Sequence, residues 1–309
     1  MITTIREKSA PVRIGVDIGS GEIRIGLVDV HQQLIVSETL ETNPARPAEQ
    51  IIEEIGHKIL KMLEVQGIAL DQCVGIGIGA AGTIDRKNGM VRYSNNIKWE
   101  NVALAKEIGK YLPIPVKIAN NADCAALGEA VAGAGKECQD VVMLTLGSGV
   151  GGGIILDGDI YKGKGIGGSE LGHMVIAENG EPCTCGRRGC LEAYVSIPAL
   201  KRDAKRAVGR EMSAEEIFAG AAAGDKALGE VVESYIRRLS TGIVNIVNIF
   251  RPQMVLIGGR ISLQGEELLP LIRRAVKENC FGGTNSELPE IEMAALGKDA
   301  GMIGAASLL

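Results

Sequence analysis

Aromatic residues are scarce in this sequence of 309 residues, which has one tryptophan, five tyrosines and three phenylalanines. Extended surfaces that stack on nucleic-acid bases or sugar rings are therefore not expected. Basic residues are not in excess either, since 33 lysines and arginines stand against 38 acidic residues and give a net charge of −5. Without a basic excess or a long basic block, nucleic acid is not expected to be the main partner.

Long apolar runs are also missing. No uninterrupted stretch approaches the roughly 20 apolar residues that span a bilayer. The N-terminal segment MITTIREKSAPVR has no apolar core of the kind found in secretion signals. The seven cysteines are an odd number, and three of them crowd into Cys183–Cys190, which does not resemble a secreted disulfide framework. We therefore predict a cytoplasmic protein.

A glycine-rich hairpin pattern occurs twice. The segment VRIGVDIGSGEIRIGLVDV, which begins at Val12, resembles DVVMLTLGSGVGGGIILDG, which begins at Asp140. Each copy is typical of a strand, a glycine turn and a second strand. The aligned turn positions are Gly19 with Gly147, Ser20 with Ser148, and Gly21 with Gly149. The repeat predicts two duplicated α/β lobes that face a cleft, and a chance similarity of two glycine-rich hairpins is the alternative.

The repeat also suggests domain boundaries. We expect an N-terminal α/β lobe over residues 1–119, a larger C-terminal α/β lobe over residues 120–298, and a last helix within 299–309 that packs on the first lobe. Capping residues and apolar periodicity predict several helices between these limits. The predicted helix starts lie near Pro47, at Asn101, after Ser196, after Ser213 and near Asp225.

The two glycine turns are candidate phosphate sites. Consecutive backbone N–H groups can converge on an anion when no side chain obstructs them, and Ser20 and Ser148 add hydroxyl donors. Asp17 ends the strand before the first turn and suits a magnesium ion bound directly or through water. The simpler interpretation is that Gly151–Gly153 only relieve a tight bend and that Asp17 caps a turn. Neither turn is a Walker A loop, because G-x-x-x-x-G-K-[ST] is absent.

One histidine and three cysteines have the spacing of a metal site. Cys183, Cys185 and Cys190 lie within eight residues, and His173 lies ten residues upstream of the first of them. Three thiolates and one imidazole form a tetrahedral Zn²⁺ site, and closed sites of this kind are usually structural. A cluster of free thiols is the alternative. A redox role would more usually show C-x-x-C beside a thioredoxin-like pattern, which is lacking.

Two carboxylates, Glu170 and Glu192, flank this cluster. Carboxylates accept hydrogen bonds from sugar hydroxyls, each of which needs a partner once it leaves water. Taken alone, each glutamate is equally typical of a surface charge. Next to a metal-stiffened loop they become candidates for a sugar pocket.

These segments resemble the ROK family of bacterial sugar kinases and sugar-responsive repressors. The resemblance runs from about Val12 to the C-terminus, and its most specific part is the E-L-G-H segment at Glu170 combined with CTCGRRGCLE. The other matching stretches are DIGSGEIRIGLVD, GIGAAGTID, SNNIKW, ANNADCAALGE, TLGSGVGGGI, VLIGG and KDAGMIGAA.

The resemblance implies a two-lobed actin-like ATPase fold of the ribonuclease H-like class. It implies Mg²⁺–ATP as phosphoryl donor, a hexose as acceptor, a zinc ion and a homodimer. The implied sugar contacts are Asn96, Asn120, Glu170, His173 and Glu192. The implied nucleotide contacts are Asp17, Gly19, Ser20, Gly21, Gly147, Ser148, Gly149, Gly258 and Gly259. The implied zinc ligands are His173, Cys183, Cys185 and Cys190. Family repressors carry an added N-terminal helix-turn-helix domain, and the short segment before the first strand favours the kinase branch.

The sequence departs from the family pattern at the catalytic base. The family's N-D-A-[ND] segment supplies an aspartate that accepts the proton of the attacking hydroxyl, and here it is Asn120-Asn121-Ala122-Asp123. The Asn121 amide cannot take up this proton, and Asp123 would project differently from a helix start. The first turn departs as well, because the usual G-G-T-K becomes Gly19–Glu22, which loses a threonine hydroxyl and adds a carboxylate near the phosphates.

Three explanations of Asn121 stay open. The chain could be a natural or engineered variant of an active kinase with a substituted base. It could be a slow kinase, since phosphoryl transfer relies chiefly on positioning and charge stabilisation. It could also be a sugar-binding pseudokinase. We expect ATP-dependent phosphorylation of a hexose, similar to that of a glucokinase and impaired by Asn121. A catalytically silent sugar sensor on the same scaffold is the alternative, and the sequence leaves the identity of the hexose open.

Overall fold

The structure is a computed structural model that describes residues 10–261 and 265–309. These residues form two compact units. The first unit takes in the chain up to Lys136, together with Ile160–Gly168 and Lys298–Leu309. The second unit comprises Glu137–Asp159 and Ser169–Gly297. None of the described helices is both long and apolar enough to cross a bilayer.

The first unit is a mixed sheet with helices and a small second sheet. Its elements in chain order are β1 (Val12–Ile18), β2 (Glu22–Val28), β3 (Leu34–Glu41), α1 (Ala48–Gln66), β4 (Cys73–Ala80), β5 (Thr83–Asp85), β6 (Met90–Ser94), β7 (Trp99–Val102), α2 (Leu104–Ile108), β8 (Val116–Asn120) and α3 (Asn121–Ala132). The larger sheet has the strand order β3-β2-β1-β4-β8, and the small sheet has the order β5-β6-β7.

The second unit repeats this sheet. Its elements in chain order are β9 (Val141–Leu146), β10 (Val150–Leu156), β11 (Asp159–Ile160), α4 (Glu192–Val195), α5 (Ile197–Val208), α6 (Ala214–Ala222), α7 (Lys226–Phe250), β12 (Met254–Gly258), α8 (Gly265–Asn279) and β13 (Glu290–Met293). The strand order is β11-β10-β9-β12-β13. The chain then returns to the first unit with α9 (Ala300–Ala306).

The two sheets have equivalent pairings, which shows the duplication. In the first, β1 pairs antiparallel with β2 and parallel with β4. In the second, β9 pairs antiparallel with β10 and parallel with β12. Ile18 faces Ile23 across the first hairpin, and Leu146 faces Val150 across the second. Each hairpin therefore leaves three residues, Gly19–Gly21 or Gly147–Gly149, as its tip.

Each unit buries its own apolar core. In the first, the inward side chains of β1 and β2 meet one face of α1, where Ile52, Ile55 and Ile59 are buried. In the second, β9 and β12 meet α7. Burial of apolar area at about 25 cal/mol per Å² is the main stabilising contribution in both. Helix α9 packs against β1 and α3 of the first unit, and all seven of its residues are buried.

Most of the helix starts predicted from capping residues are confirmed. The side chains of Ser196, Ser213 and Asp225 accept backbone N–H groups at the starts of α5, α6 and α7. The prediction for Asn101 is wrong. Asn101 lies in β7 at a positive φ of 51°, and the short α2 begins at Leu104 after Ala103. The pairing of β7 with β6 continues to Val102, so the backbone around Asn101 is part of a strand and cannot start a helix.

Candidate functional site

The predicted zinc ligands converge in the second unit. One ligand atom from each of His173, Cys183, Cys185 and Cys190 lies within 4.8 Å of the others. The Sγ atoms of Cys185 and Cys190 are 3.7 Å apart, and Cys183 Sγ is 3.6 Å from His173 Nδ1. A tetrahedral zinc ion with Zn–S bonds of about 2.3 Å would space its sulfur ligands by about 3.8 Å and a sulfur and a nitrogen by about 3.6 Å. The four side chains fit this ion.

The loop around these cysteines has its own hydrogen bonds. The N–H of Cys183 donates to the carbonyl of Arg187 over 2.8 Å, and Arg187 Nη2 donates to the carbonyl of His173 over 2.8 Å. The second bond ties the segment that carries the histidine to the segment that carries the cysteines. Cys190 is fully buried and Cys185 is exposed, so the cluster lies at the edge of the second unit's core.

The three thiols differ in acidity. A hydrogen bond from the backbone N–H of Arg187 lowers the pKa of Cys185. Burial raises the pKa of Cys183 and of Cys190. Without a cation, the cluster therefore favours one thiolate over three. A divalent cation would change this balance, because it stabilises each thiolate that binds it.

The two candidate sugar carboxylates make different contacts near this cluster. Glu170 is exposed, and its Oε2 lies 3.9 Å from His173 Nε2, the ring nitrogen that faces away from the cysteines. Glu192 begins α4, directly after Cys190 and Leu191. Its Oε1 accepts a hydrogen bond from Thr184 Oγ1 over 2.9 Å, and its Oε2 accepts one from the N–H of Val150 over 3.0 Å.

The second glycine turn presents two backbone donors. The N–H of Gly147 donates to the carbonyl of Gly149 over 2.9 Å, and the N–H of Val150 donates to Glu192. Among the hydrogen bonds of the described residues, the N–H groups of Ser148 and Gly149 donate to none. Ser148 is exposed and Gly149 is partly buried. The turn can therefore offer two adjacent donors to an anion, as a phosphate site requires.

The first glycine turn presents a similar pair of backbone donors. The N–H of Gly19 donates to the carbonyl of Glu22 over 3.0 Å, and buried Thr42 donates its hydroxyl to the carbonyl of Gly19 over 2.7 Å and its N–H to that of Gly21 over 3.2 Å. Within the described part of the chain, the N–H groups of Ser20 and Gly21 remain without an acceptor. Thr42 thus holds the carbonyls and leaves two donors at the positions equivalent to Ser148 and Gly149.

The carboxylate added to this turn is neutralised by a neighbour. Glu22 forms an ion pair with Arg24, two residues along β2. Arg24 also donates Nη1 to the carbonyl of Lys298 over 2.7 Å. The negative charge predicted to lie near the phosphates is therefore paired, which reduces its effect on an anion at the turn.

Asp17 lies at the end of β1, opposite Arg24 in the register of β1 and β2. Burial raises the pKa of Asp17 to about 6, although nearby Arg24 opposes this rise. Its Oδ1 is buried and has no hydrogen-bond partner among the described residues. A buried, unpartnered carboxylate oxygen suits a magnesium ion or one of its bound waters.

The segment predicted to hold the catalytic base begins α3. Asn120 is the N-cap, because its Oδ1 accepts the N–H groups of Ala122 and Asp123 over 2.8 and 3.4 Å. Its Nδ2 donates to the carbonyl of Gly82 over 3.0 Å. Asn121 is the first helical residue and is partly buried, and its side-chain amide has no hydrogen bond to another described residue.

Asp123 has a structural partner. It is fully buried and forms an ion pair with Arg86, whose Nη2 lies 2.5 Å from Asp123 Oδ2. Arg86 follows β5, so this pair fixes the first turn of α3 against the β5–β6 hairpin. A buried carboxylate that neutralises an arginine is not free to act as a general base. Asp123 is therefore no substitute for the base that the family resemblance predicts at position 121.

The remaining predicted residues lie at the ends of strands. Asn96 is exposed in the turn between β6 and β7 of the first unit. Gly258 ends β12 in the second unit, and Gly259 follows with a positive φ of 83°. A side chain at Gly259 would collide with the backbone of Leu146, because its Cβ would lie 2.4 Å from the Leu146 carbonyl oxygen. This close approach places the end of β12 beside the start of the second glycine turn.

A family model described as the ROK family matches residues 13–309. The chain belongs to the ROK family. The glucokinase of Thermotoga maritima is 34% identical over 314 residues, with 96% of each protein covered. A xylose repressor of Caldicellulosiruptor bescii is 29% identical over 309 residues and covers 96% of this chain and 77% of the repressor.

A solved ROK family glucokinase from Streptomyces griseus, in complex with glucose and AMPPNP, has the same fold. It is 31% identical, superposes with a TM-score of 0.80, and the match covers 96% of this chain and 98% of that chain. The two equivalent sheets are therefore the duplicated α/β units of the actin-like, ribonuclease H-like ATPase fold. The fold class and the family predicted from the sequence are confirmed.

Two residues of these sites carry no signal in the sequence. Thr42 and Arg86 lie 23 and 37 positions from the groups they hold, by hydrogen bond and by ion pair. Each is an ordinary surface residue type within its own segment. Only the folded chain brings them to Gly19 and Asp123. Thr184, in contrast, lies eight positions before Glu192, inside the cysteine segment.

Proposed function

We propose that this ROK protein is an ATP-dependent hexose kinase, similar to a glucokinase, whose phosphoryl transfer is impaired by Asn121. The observation that carries the proposal is the pair of equivalent glycine turns, each with two adjacent N–H groups that have no acceptor among the described residues. The glucokinase relatives support a sugar as acceptor, and the glucose and AMPPNP bound to one of them support ATP as donor.

In the proposed reaction, a hexose hydroxyl oxygen attacks the γ-phosphorus of ATP. A bond forms between these atoms, the bond to the β–γ bridging oxygen breaks, and ADP leaves. The free N–H groups of Ser20, Gly21, Ser148 and Gly149 would bind phosphate oxygens, and Gly258 and Gly259 would adjoin the adenosine. The proton of the attacking hydroxyl needs an acceptor, and the Asn121 amide does not provide one. Transfer without a base stays feasible but slow, because positioning and charge stabilisation supply most of the catalysis.

The candidate sugar residues would position the hexose. Glu170 and Glu192 would accept sugar hydroxyls, Asn96 and Asn120 would add amide groups, and His173 would present Nε2, since its Nδ1 faces the cysteines. Zinc held by His173 and the three cysteines would keep this loop in shape. Magnesium held near Asp17 would supply charge neutralisation at the phosphates.

A catalytically silent sugar sensor is the second candidate function. Asn121 favours it, and the relative named a xylose repressor supports it. A cytoplasmic location, a homodimer and the lack of a nucleic-acid partner remain predictions from the sequence.

The experiment that tests the proposal restores the missing base. Losing a general base typically costs ~10²–10⁴-fold in rate, so Asn121→Asp should raise kcat by at least about a hundredfold. Hexose affinity should change much less, since Asn and Asp are nearly isosteric and both accept a hydrogen bond. The measurement is a coupled ADP-release assay of both proteins with Mg²⁺–ATP and a panel of hexoses. Asp123→Asn is the matched comparison, because it changes the buried partner of Arg86 and adds no base.

Two outcomes would reject the proposal. If Asn121→Asp stays inactive on every hexose but a hexose still raises its melting temperature, the chain is a sugar sensor and not a kinase. If the present sequence already turns over at rates ordinary for a kinase, position 121 does not hold the base.

A further inference from the structure

The second glycine turn is held at both ends by the segment that follows the cysteine cluster. At its start, the carbonyl of Gly147 accepts the N–H of Ile197 over 2.8 Å. At its end, the N–H of Val150 donates to Glu192 Oε2 over 3.0 Å. Both partners belong to the short stretch Glu192–Ile197, which contains α4 and the start of α5. The position of this stretch therefore sets the shape of the turn.

The same stretch is connected to the cluster. Cys190, a candidate metal ligand, lies two residues before Glu192, and α4 begins at Glu192 itself. Glu192 Oε1 accepts the hydroxyl of Thr184 over 2.9 Å and lies 3.6 Å from Cys183 Sγ. One carboxylate therefore has one oxygen on the cysteine loop and the other on the glycine turn.

Gly149 leaves space for this carboxylate beside the turn. A side chain at Gly149 would place its Cβ 2.7 Å from Glu192 Oε2, so it would displace the end of the glutamate. The absence of a side chain at position 149 thus serves the Glu192 contact as well as any approach of a phosphate. A shift of Glu192 would alter the direction of the Val150 N–H and of the free N–H groups beside it.

We propose that Glu192 couples the cysteine–histidine cluster to the second glycine turn, so that metal in the cluster strengthens nucleotide binding at the turn. Glu192 acts here as a positioning residue, through the N–H of Val150. This inference rests on the proposed function in that it takes the turn as a nucleotide site. It adds that the cysteine loop, besides supporting the sugar residues, also regulates nucleotide binding at the second glycine turn.

The first test removes one hydrogen bond and leaves the metal ligands in place. Thr184→Val is nearly isosteric and deletes the donor to Glu192 Oε1. The dissociation constant of a non-hydrolysable ATP analogue with Mg²⁺ should rise about two- to tenfold, the range of a single hydrogen bond. Zinc content should stay equal to that of the parent. The measurement is titration calorimetry of the zinc-loaded proteins.

Thr241→Val is the matched control. Thr241 lies on α7 of the same unit, and its hydroxyl donates to the carbonyl of Arg237 over 2.9 Å, away from the turn. It should leave the dissociation constant of the analogue unchanged. If Thr184→Val also leaves this dissociation constant unchanged while the parent binds the analogue, Glu192 does not couple the cysteine loop to the turn, and the proposal is wrong.

The second test measures the coupling as a cycle. Removing zinc with a chelator from the parent should weaken binding of the analogue by about fivefold or more, the usual lower end for coupled sites. In Glu192→Ala, the same treatment should change it by less than about twofold, as for independent sites. An equal loss in both proteins would show that the metal acts without Glu192.

The two failures are distinguishable. If neither the parent nor any variant binds the analogue, while zinc content is normal, the nucleotide site itself and with it the proposed function are wrong. If all bind it and the cycle shows no coupling, only the role of Glu192 is wrong. Should the chelated protein unfold, the Thr184→Val comparison still decides, because it is made with zinc present.

Discussion

Asp17 illustrates how one residue can be costly to the folded chain and useful to a bound ligand. Burial raises its pKa from an ordinary 3.8 to about 6. Because the folded-state pKa lies above the unfolded one, this group favours folding below pH 3.8 and loses that contribution as pH rises through about 6. Above this range the protein holds a buried carboxylate whose Oδ1 has no partner among the described residues. A bound magnesium ion would relieve that cost.

We therefore predict opposite effects of Asp17→Asn on stability and on binding. At pH 8 the variant without ligand should melt at a higher temperature than the parent, because it has no buried charge. Its affinity for a Mg²⁺–nucleotide should be lower. The parent should also lose affinity as pH falls from 7 to 5, when Asp17 becomes protonated, more steeply than the variant does. Calorimetric melting and titration at several pH values check this.

The comparison with the variant matters because the nucleotide's own phosphates titrate in the same range. A pH dependence that is identical in the two proteins would assign the whole effect to the nucleotide. A variant that binds Mg²⁺–nucleotide as tightly as the parent at pH 8 would remove Asp17 from the site.

At the scale of elements, the glycine turns allow a sharper test than single side chains do. A Cβ at Gly147 would meet no atom within 4 Å, whereas one at Gly149 would meet Glu192. A change at Gly149 therefore disturbs a candidate sugar residue together with the turn, and its effects on nucleotide and sugar cannot be separated. Gly147 is the better probe of the turn.

We predict that Gly147→Ala keeps the fold and weakens nucleotide binding. The added methyl group has room in the free protein and obstructs the close approach of a phosphate to the backbone, so the dissociation constant should rise by roughly tenfold, about 1.4 kcal/mol. Gly229→Ala on α7 is the matched control, because its Cβ also meets no atom within 4 Å. Calorimetry should find nucleotide affinity unchanged in the control. Equal affinity in Gly147→Ala and the parent would place the phosphates elsewhere.

The elements also show what the sequence could predict. The repeated hairpins and the caps at Ser196, Ser213 and Asp225 were predictable, because glycine turns and capping side chains act over a few neighbouring residues. The small β5-β6-β7 sheet was missed, since its strands have only three to five residues and show little alternation. Asn101 was misassigned because strand pairing overrode a good capping residue.

The candidate site also has features that the sequence could predict and features that it could not. The cluster of His173 and three cysteines was predictable from its spacing, and the structure brings the four candidate ligand atoms together. The bond of Glu192 to Val150 and the ion pair of Arg86 with Asp123 were not, because each joins residues that are more than 30 positions apart. Their partners are fixed by the packing of strands and helices, which no local pattern records.

For the molecule as a whole, the two units have separate apolar cores. The core of the first unit, built around β1, β4 and α1, shares no residue with the core of the second, built around β9, β12 and α7. The cysteine cluster belongs to the second unit, where Cys183, Cys190 and Ala193 form a small buried group of their own. A change in this cluster should therefore affect local opening in the second unit first.

We predict that loss of zinc raises amide hydrogen exchange in the second unit only. Cys185→Ser removes one ligand, so the cysteine loop, α4 and the turn Gly147–Gly149 should exchange faster, because their hydrogen bonds depend on the loop's position. Peptides from β1 and β4 should exchange as in the parent. Mass spectrometry of zinc-loaded, chelated and Cys185→Ser protein measures this. Cys138→Ser, outside the cluster but in the same unit, is the control and should match the parent. Faster exchange throughout both units would instead mean that the metal stabilises the whole molecule as one cooperative body. Unchanged exchange in the loop would mean that His173 and the three cysteines hold no structural ion.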